Sequence, residues 1–301
     1  MYKISMTREK YSAIIIFGEV LFDIFDGVSR IGGAPFNVCY HLHNFGIKTS
    51  FVTAVGSDPL GDSVLRLMNS AGMDMSCVSV AENAPTGRVE VVMDGRSHSF
   101  VIHDNQAYDM IRPFDIPDGG FLLYHGSLAL RHRNNMDIVN RAKKTEGCRT
   151  FCDINLRDIW RSGDFISESL NGVRWLKIND EELNHISPMY GLTGTNERRC
   201  LDLADRLSLD TVFLTKGESG AEAHSRDISC VHESVPAADF KDTVGAGDAM
   251  ASVCILGLTL GWDIFSMISR GAEFASIICG QRGALPESPE VYEKLIKRWD
   301  L

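Results

Sequence analysis

The sequence predicts an α/β protein: a doubly wound, mainly parallel sheet flanked by helices, with a small β-sheet lid. Short apolar strands alternate with predicted helices over most of the 301 residues, which is typical of parallel sheets. Two stretches break this alternation with hairpin patterns around Asp26-Gly27 and Asp94-Gly95. We see neither an internal repeat nor a low-complexity linker, so we expect residues 1–301 to form a single domain.

The first predicted strand, Ala13 to Phe17, is an apolar run closed by Gly18, which is typical of a central parallel strand. Further strands are predicted at Ser50 to Val55, Phe121 to Tyr124, Thr150 to Ile154, Trp175 to Ile178 and Thr211 to Thr215. Helices are predicted between them at Asn37 to Phe45, Gly61 to Ala71, Asn134 to Lys144, Glu197 to Leu207 and Ala246 to Leu260.

The two hairpins pair Leu21 to Phe25 with Ser29 to Ile31, and Arg88 to Val92 with His98 to Ile102. We expect them to form one small sheet, spanning about 21–31 and 88–102, that acts as a lid over the ligand. The alternative is a decoration on the edge of the main sheet. One face of the small sheet is apolar, with Val89, Val91, Phe100 and Ile102, and we expect it to be exposed.

Composition excludes several classes of protein. Hydrophobic residues make up 44% and the formal charge is −10, so a globular fold is favoured over disorder and over binding to nucleic acid. The eight cysteines lack the paired spacing of a zinc site, and we expect buried, reduced thiols. No apolar run is long enough for a signal peptide core or a membrane span, so we expect a cytoplasmic protein.

The sharpest chemical signal is the segment Asp242-Thr243-Val244-Gly245-Ala246-Gly247-Asp248 before an apolar helix. Glycines at a helix start leave backbone N–H groups open to a phosphate, and the helix dipole favours an anion there. Asp248 lies in the first turn, where a carboxylate can take the proton of a hydroxyl that attacks a γ-phosphoryl group. The alternative is an aspartate that merely caps a helix.

This segment resembles the C-terminal signature of the ribokinase-like (PfkB) carbohydrate kinases, and the resemblance continues along nearly the whole chain. The other matching blocks are Gly18 to Asp23 with Gly32 to Asn37, Gly56 to Asp58 with Gly61, Asp153 to Arg157 with Trp160, Asn179 with Glu182, and Leu214 to Gly217 with Gly220. The first signature and the Asp153 block are similar to the fructokinase branch. The resemblance implies a ribokinase-like fold whose lid often packs against a second subunit, and we expect a homodimer.

The resemblance also implies roles for the residues that match the motifs. Asp248 is expected to be the catalytic base, with Gly245, Ala246 and Gly247 as the anion hole. Substrate contacts are expected from Asp23, Gly33, Asn37 and Arg157. From the residues alone, the alternatives are an ordinary solvated carboxylate for Asp23, an N-cap for Asn37 and a surface salt bridge for Arg157.

On the nucleotide side the resemblance implies ATP as co-substrate, with Asn179, Thr215, Gly217 and Gly220 in its site. Glu182 is expected to hold Mg²⁺ through water, although an acidic helix start explains it as well. Asp242 and the Val244 carbonyl match the family's site for a monovalent cation such as K⁺. Glu287 stands where the family often has a small hydroxyl residue, which argues against that cation.

Together, these expectations predict an enzyme that transfers the ATP γ-phosphoryl group to a primary hydroxyl of a small sugar, with D-fructose as the first candidate. Other sugars, a sugar acid of the 2-keto-3-deoxygluconate type or a nucleoside remain open, and Arg88 and Arg157 keep the acid in consideration. A non-catalytic sensor of sugar or nucleotide is the alternative from another class. A nicotinamide dehydrogenase is excluded, because Gly18-Glu19-Val20 lacks the required glycine pattern.

Overall fold

The computed structural model describes residues 11–25, 28–94, 97–156 and 162–301. Its strands are β1 (Ala13–Phe17), β2 (Leu21–Phe25), β3 (Val28–Gly32), β4 (Ser50–Gly56), β5 (Val78–Ala81), β6 (Gly87–Asp94), β7 (Ser97–Ile102), β8 (Phe121–His125), β9 (Cys148–Asp153), β10 (Trp175–Asn179), β11 (Thr211–Thr215), β12 (Ala221–Ser225) and β13 (Ser229–His232). Its helices are α1 (Ala34–Asn44), α2 (Pro59–Ala71), α3 (Arg133–Lys143), α4 (Gly163–Leu170), α5 (Asp180–Ile186), α6 (Asn196–Leu207), α7 (Ala246–Leu260), α8 (Ile264–Cys279) and α9 (Glu290–Trp299).

The large sheet has the strand order β13-β12-β11-β10-β9-β8-β1-β4-β5 within the described residues. It is parallel from β5 to β11 and ends in the antiparallel strands β12 and β13. In β1, Ile14 and Ile16 pack into the core on one face, and Ile15 and Phe17 pack into the core on the other. The predicted doubly wound sheet is therefore confirmed, and its central strand is apolar throughout because helices cover both faces.

Helices α1, α2, α7, α8 and α9 contribute to the core on one face, and α3 to α6 to the core on the other. Helix α7 is buried almost all round and packs against α1 and α8. Helix α1 begins at Ala34, earlier than predicted, because Pro35 is accommodated in its first turn. Among the described residues, no helix is long and apolar enough to cross a membrane.

A separate small sheet has the order β3-β2-β6-β7, and the parallel pair β2–β6 joins the two predicted hairpins. The apolar face was wrongly expected to be exposed at Val89, which is only 5% exposed. Leu21 and Val89 lie on the same face, and that face packs on Tyr108 in the core of the chain itself. Ile102 packs against the same cluster, whereas Val101, from the alternate position, is exposed. The homodimer stays a prediction.

Candidate active site

Helix α7 begins in a glycine turn that contacts the loop before α9. Gly245 caps the helix in the left-handed region with φ 79°, and a Cβ there would lie 2.4 Å from the Ala284 Cβ. Asp242 braces this turn, because its carboxylate accepts the Val244 N–H at 2.9 Å and the Gly283 N–H at 3.3 Å. The turn thus has no room for a side chain at Gly245, and it begins a helix whose N-terminus carries the partial positive charge that favours an anion.

Asp248 lies in the first turn of α7 and meets a side chain from α1. The Asn37 Nδ2 atom donates to Asp248 Oδ2 at 2.7 Å, which brings together two predicted site residues from opposite ends of the chain. Asn37 is buried, and its Oδ1 atom has no hydrogen-bond partner among the described residues. It does not cap α1, because the N-cap is Gly33. Asn37 therefore orients the Asp248 carboxylate.

The predicted sugar-side residues follow one another from the small sheet to Asn37. Asp23 lies on β2 with its carboxylate over Gly32, where an added Cβ would approach Oδ2 to 2.8 Å. Gly33 has φ 103°, and a Cβ there would lie 2.7 Å from the Glu19 carbonyl oxygen. Only glycine can adopt this φ with its backbone so close to the Glu19 carbonyl oxygen. The chain therefore leads directly from the small sheet, beside Asp23, into α1. Arg157, the fourth predicted contact, lies outside the described residues.

Asn179 and Glu182 form a reciprocal cap at the start of α5. Asn179 Oδ1 accepts the Glu182 N–H at 2.8 Å, and Glu182 Oε2 accepts the Asn179 N–H at 2.9 Å. Glu182 Oε1 also accepts the Leu156 N–H at 2.6 Å. The pKa of Glu182 is raised above its ordinary value, chiefly because the carboxyl is buried, although the two N–H donors and Lys177 act to lower it. Both carboxylate oxygens are thus engaged, but each keeps a second lone pair for a metal-bound water, which fits Mg²⁺.

Thr215 ends β11 beside Asn179 of β10, so two predicted nucleotide-side residues are neighbours at the carboxyl edge of the sheet. Gly217 starts a short 3₁₀ turn in the left-handed region, and Gly220 ends it with φ 88°. A Cβ at Gly220 would lie 2.1 Å from the His232 carbonyl oxygen, so close backbone packing requires glycine there. In the described residues, we find no group of three or more His, Cys, Asp or Glu placed to hold a metal ion.

Sequence reasoning missed a buried ion pair beside this site. Lys177 of β10 donates from Nζ to Asp153 Oδ1 of β9 at 2.7 Å, and both side chains are buried. Burial alone lowers the pKa of Lys177, but Asp153, Glu182 and Asp248 raise it above its ordinary value. The signal that was available is a charged residue in the otherwise apolar run Trp175 to Ile178.

Comparison with known proteins places the chain in a family. Residues 2–290 match the model of the pfkB family carbohydrate kinases. The chain therefore belongs to the pfkB family and is a sugar kinase of that family. The ribokinase-like fold that the sequence predicts is confirmed.

Individual relatives carry different substrate names. The chain is 26% identical to a fructokinase of Salmonella typhimurium over 244 residues, 75% of this chain and 76% of the relative. It is 22% identical to a 5-dehydro-2-deoxygluconokinase of Clostridium perfringens over 294 residues, 89% of this chain and 84% of the relative. A solved fructokinase of Vibrio cholerae, with fructose, ADP and calcium bound, has the same fold, with a TM-score of 0.74, 23% identity and coverage of 91% of this chain and 94% of that one.

Proposed function

Since the chain belongs to the pfkB family, we propose that it transfers the γ-phosphoryl group of ATP to a primary hydroxyl of a small sugar. D-fructose is the first candidate, with fructose 6-phosphate as the product. The observation that carries the proposal is the 2.7 Å bond from Asn37 to Asp248 at the open start of α7. It brings a sugar-side residue and a carboxylate base to the same point as an anion site.

The reaction follows from this arrangement. Asp248 takes the proton of the sugar hydroxyl as that oxygen attacks the γ-phosphorus, and the bond to the bridging oxygen breaks to release ADP. The N–H groups at the Gly245–Gly247 turn stabilise the negative charge on the transferring group. Asp23, Gly33 and Asn37 hold the sugar, and Asn179, Thr215, Gly217 and Gly220 line the nucleotide side. Arg157 keeps its proposed substrate contact from the family motif.

Magnesium, when bound, neutralises the developing charge on the phosphates. Glu182 would hold it through water, since both carboxylate oxygens already accept N–H donors and direct coordination is less favoured. Asp242 and the Val244 carbonyl remain the proposed site for a monovalent cation such as K⁺. The Asp242 carboxylate already accepts the Val244 and Gly283 N–H groups, so backbone carbonyl oxygens would have to supply most of the ligands of such a cation.

A sugar acid is the second candidate. The Arg88 Nε atom of β6 is buried, and we find no hydrogen-bond partner for it in the described parts of the chain. A guanidinium group with a free donor suits the carboxylate of a sugar acid. The relative named 5-dehydro-2-deoxygluconokinase aligns over more of the chain than the relative named fructokinase.

The test is release of ADP from ATP and Mg²⁺ on a panel of D-fructose, D-ribose, inosine and 2-keto-3-deoxygluconate. We expect the highest kcat/KM with fructose, and ³¹P NMR should identify a 6-phosphate ester. A higher value with the sugar acid replaces fructose by the second candidate, and Arg88→Met should then weaken the acid selectively. Saturable sugar binding without ADP release on any compound would contradict a kinase and favour a sensor.

A further inference from the structure

The buried Lys177 lies directly beneath the anion-hole turn. Its Nζ atom is 3.2 Å from the position that a Cβ on Gly247 would take, so the ammonium touches the first turn of α7 from the sheet side. Asp153 holds it there at 2.7 Å, since the two residues are register partners on adjacent parallel strands. Both belong to the face of the sheet on which α7 packs.

The Lys177 ammonium is in an unfavourable position unless a negatively charged group binds beside it. The N-terminus of a helix carries partial positive charge, and an ammonium beside it is repelled. Burial of the pair costs desolvation that a single hydrogen bond does not fully offset. In addition, Asp153 Oδ2 is buried without a hydrogen-bond partner within the described residues. Such costs concentrate at functional sites, and the transferring phosphoryl group supplies the missing negative charge.

The charges around Asp248 give the lysine a second effect. Lys177 interacts electrostatically with Asp153 on β9 and with Glu182 at the start of α5, as it does with Asp248. Tyr124 on β8 interacts with Asp153, with Asp248 and with Glu19, which follows β1. The three carboxylates favour the protonated form of Asp248 when they are ionised, which would remove the base. The ammonium of Lys177 acts in the opposite direction and favours the ionised form.

On the basis of the function proposed above, we propose that Lys177 is a positioning residue for phosphoryl transfer. Held by Asp153, its ammonium adds positive charge beneath the Gly245–Gly247 turn, where the transferring phosphoryl group arrives, and favours the ionised form of the Asp248 carboxylate. Asp153 acts through Lys177, because without that carboxylate a fully buried ammonium tends to lose its proton.

The first experiment compares Lys177→Met with Lys143→Met. Lys143 is a partly buried lysine that donates to the Ser169 carbonyl at 2.8 Å on the other face of the sheet. For Lys177→Met we expect kcat to fall about 10²-fold with little change in the sugar KM, as for a lost anion-hole group. The acidic limb of the kcat/KM profile should move up by about one pH unit, because the base is harder to ionise. Lys143→Met should keep wild-type values in both measurements.

A double variant separates positioning from a structural role. Asp153→Asn with Lys177→Met removes both charges and leaves no unpaired buried ion, so a purely structural pair should be replaceable. We expect the double variant to stay folded by circular dichroism and to remain about 10²-fold slow. Wild-type turnover in the double variant would overturn the proposal.

A readout without turnover keeps this inference separate from the proposed function. In protein labelled with ¹³C at aspartate carboxyl groups, the Asp248 resonance is identified by its loss in Asp248→Asn. Its pKa should rise in Lys177→Met and stay unchanged in Lys143→Met. An unchanged Asp248 titration in Lys177→Met would overturn the role of the lysine, even if the wild type phosphorylates sugar. Conversely, a raised pKa would support it even if no sugar on the panel is a substrate.

Discussion

The start of α7 and the small sheet β3-β2-β6-β7 are held in place in different ways. The start of α7 is fixed from three sides, by Ala284 against Gly245, by Asn37 on Asp248 and by Lys177 beneath Gly247. The small sheet packs into the core with Leu21 and Val89 on one face and with Phe22 on the other, whereas Val101 of its outer strand is exposed. We expect the start of α7 to be the more rigid of the two regions and the small sheet to open and close over the sugar, which would suit a transferase that must exclude water.

The largest effect is expected from Asp248→Asn. The amide can still accept the Asn37 donor, so the fold should survive, but it cannot take a proton. We expect turnover to fall roughly 10²–10⁴-fold, the usual contribution of general-base catalysis. The matched control is Asp263→Asn at the N-cap of α8, where an amide caps as well as a carboxylate. Near wild-type turnover in Asp248→Asn would remove this residue from the mechanism.

The rigidity of the turn itself is tested by a glycine pair on one helix. Gly245 and Gly261 flank α7 with similar φ values of 79° and 75°, but an added Cβ meets Ala284 at the first and open space at the second. Gly245→Ala should lose both turnover and about 1–3 kcal/mol of stability from overpacking. Gly261→Ala should lose about 1 kcal/mol and keep its turnover. Equal turnover in the two variants, measured alongside urea unfolding, would show that the turn does not need its close contact.

A smaller and more selective effect is expected on the small sheet. Asp23→Ala should raise the sugar KM about tenfold, as for one lost charged hydrogen bond, and leave the KM for ATP nearly unchanged. Glu90→Ala provides the control, since Glu90 lies on the same sheet and pairs with His103 at 3.1 Å. An equal loss for both substrates in Asp23→Ala would mean that Asp23 does not belong to the sugar side.

The smallest effect concerns motion of the lid. Amide hydrogen exchange in β2, β3, β6 and β7 should slow when sugar and a non-hydrolysable ATP analogue bind together, because ligand contacts add to those that already hold the small sheet. Exchange in β8 and β9, which are central strands, should already be slow and change little. If the four strands exchange equally with and without ligands, the small sheet is a decoration and not a lid.

Much of the architecture could be predicted because it depends on local pattern. Short apolar runs gave the central strands, and β1 and β11 match their predicted bounds. The hairpins were predictable from their turn residues. The helices α4 and α9 and strand β5 were not predicted, since a short or strongly charged segment gives a weak periodic signal. For the site, the sequence singled out the glycine turn and Asp248, and their catalytic roles stay a prediction. The capping of α5 by Asn179 and Glu182 became clear only in the structure.

By itself, the sequence determined the alternation of strands and helices and the glycine turn at the head of α7, because neighbouring residues set both. Only the tertiary structure decided that Asn37 reaches Asp248 across 211 positions, that Lys177 pairs with Asp153, and that Val89 turns inward. Strand periodicity states that a side chain points to one face or the other. It does not state which element covers that face, and this depends on strand order and on the packing of helices from distant parts of the chain.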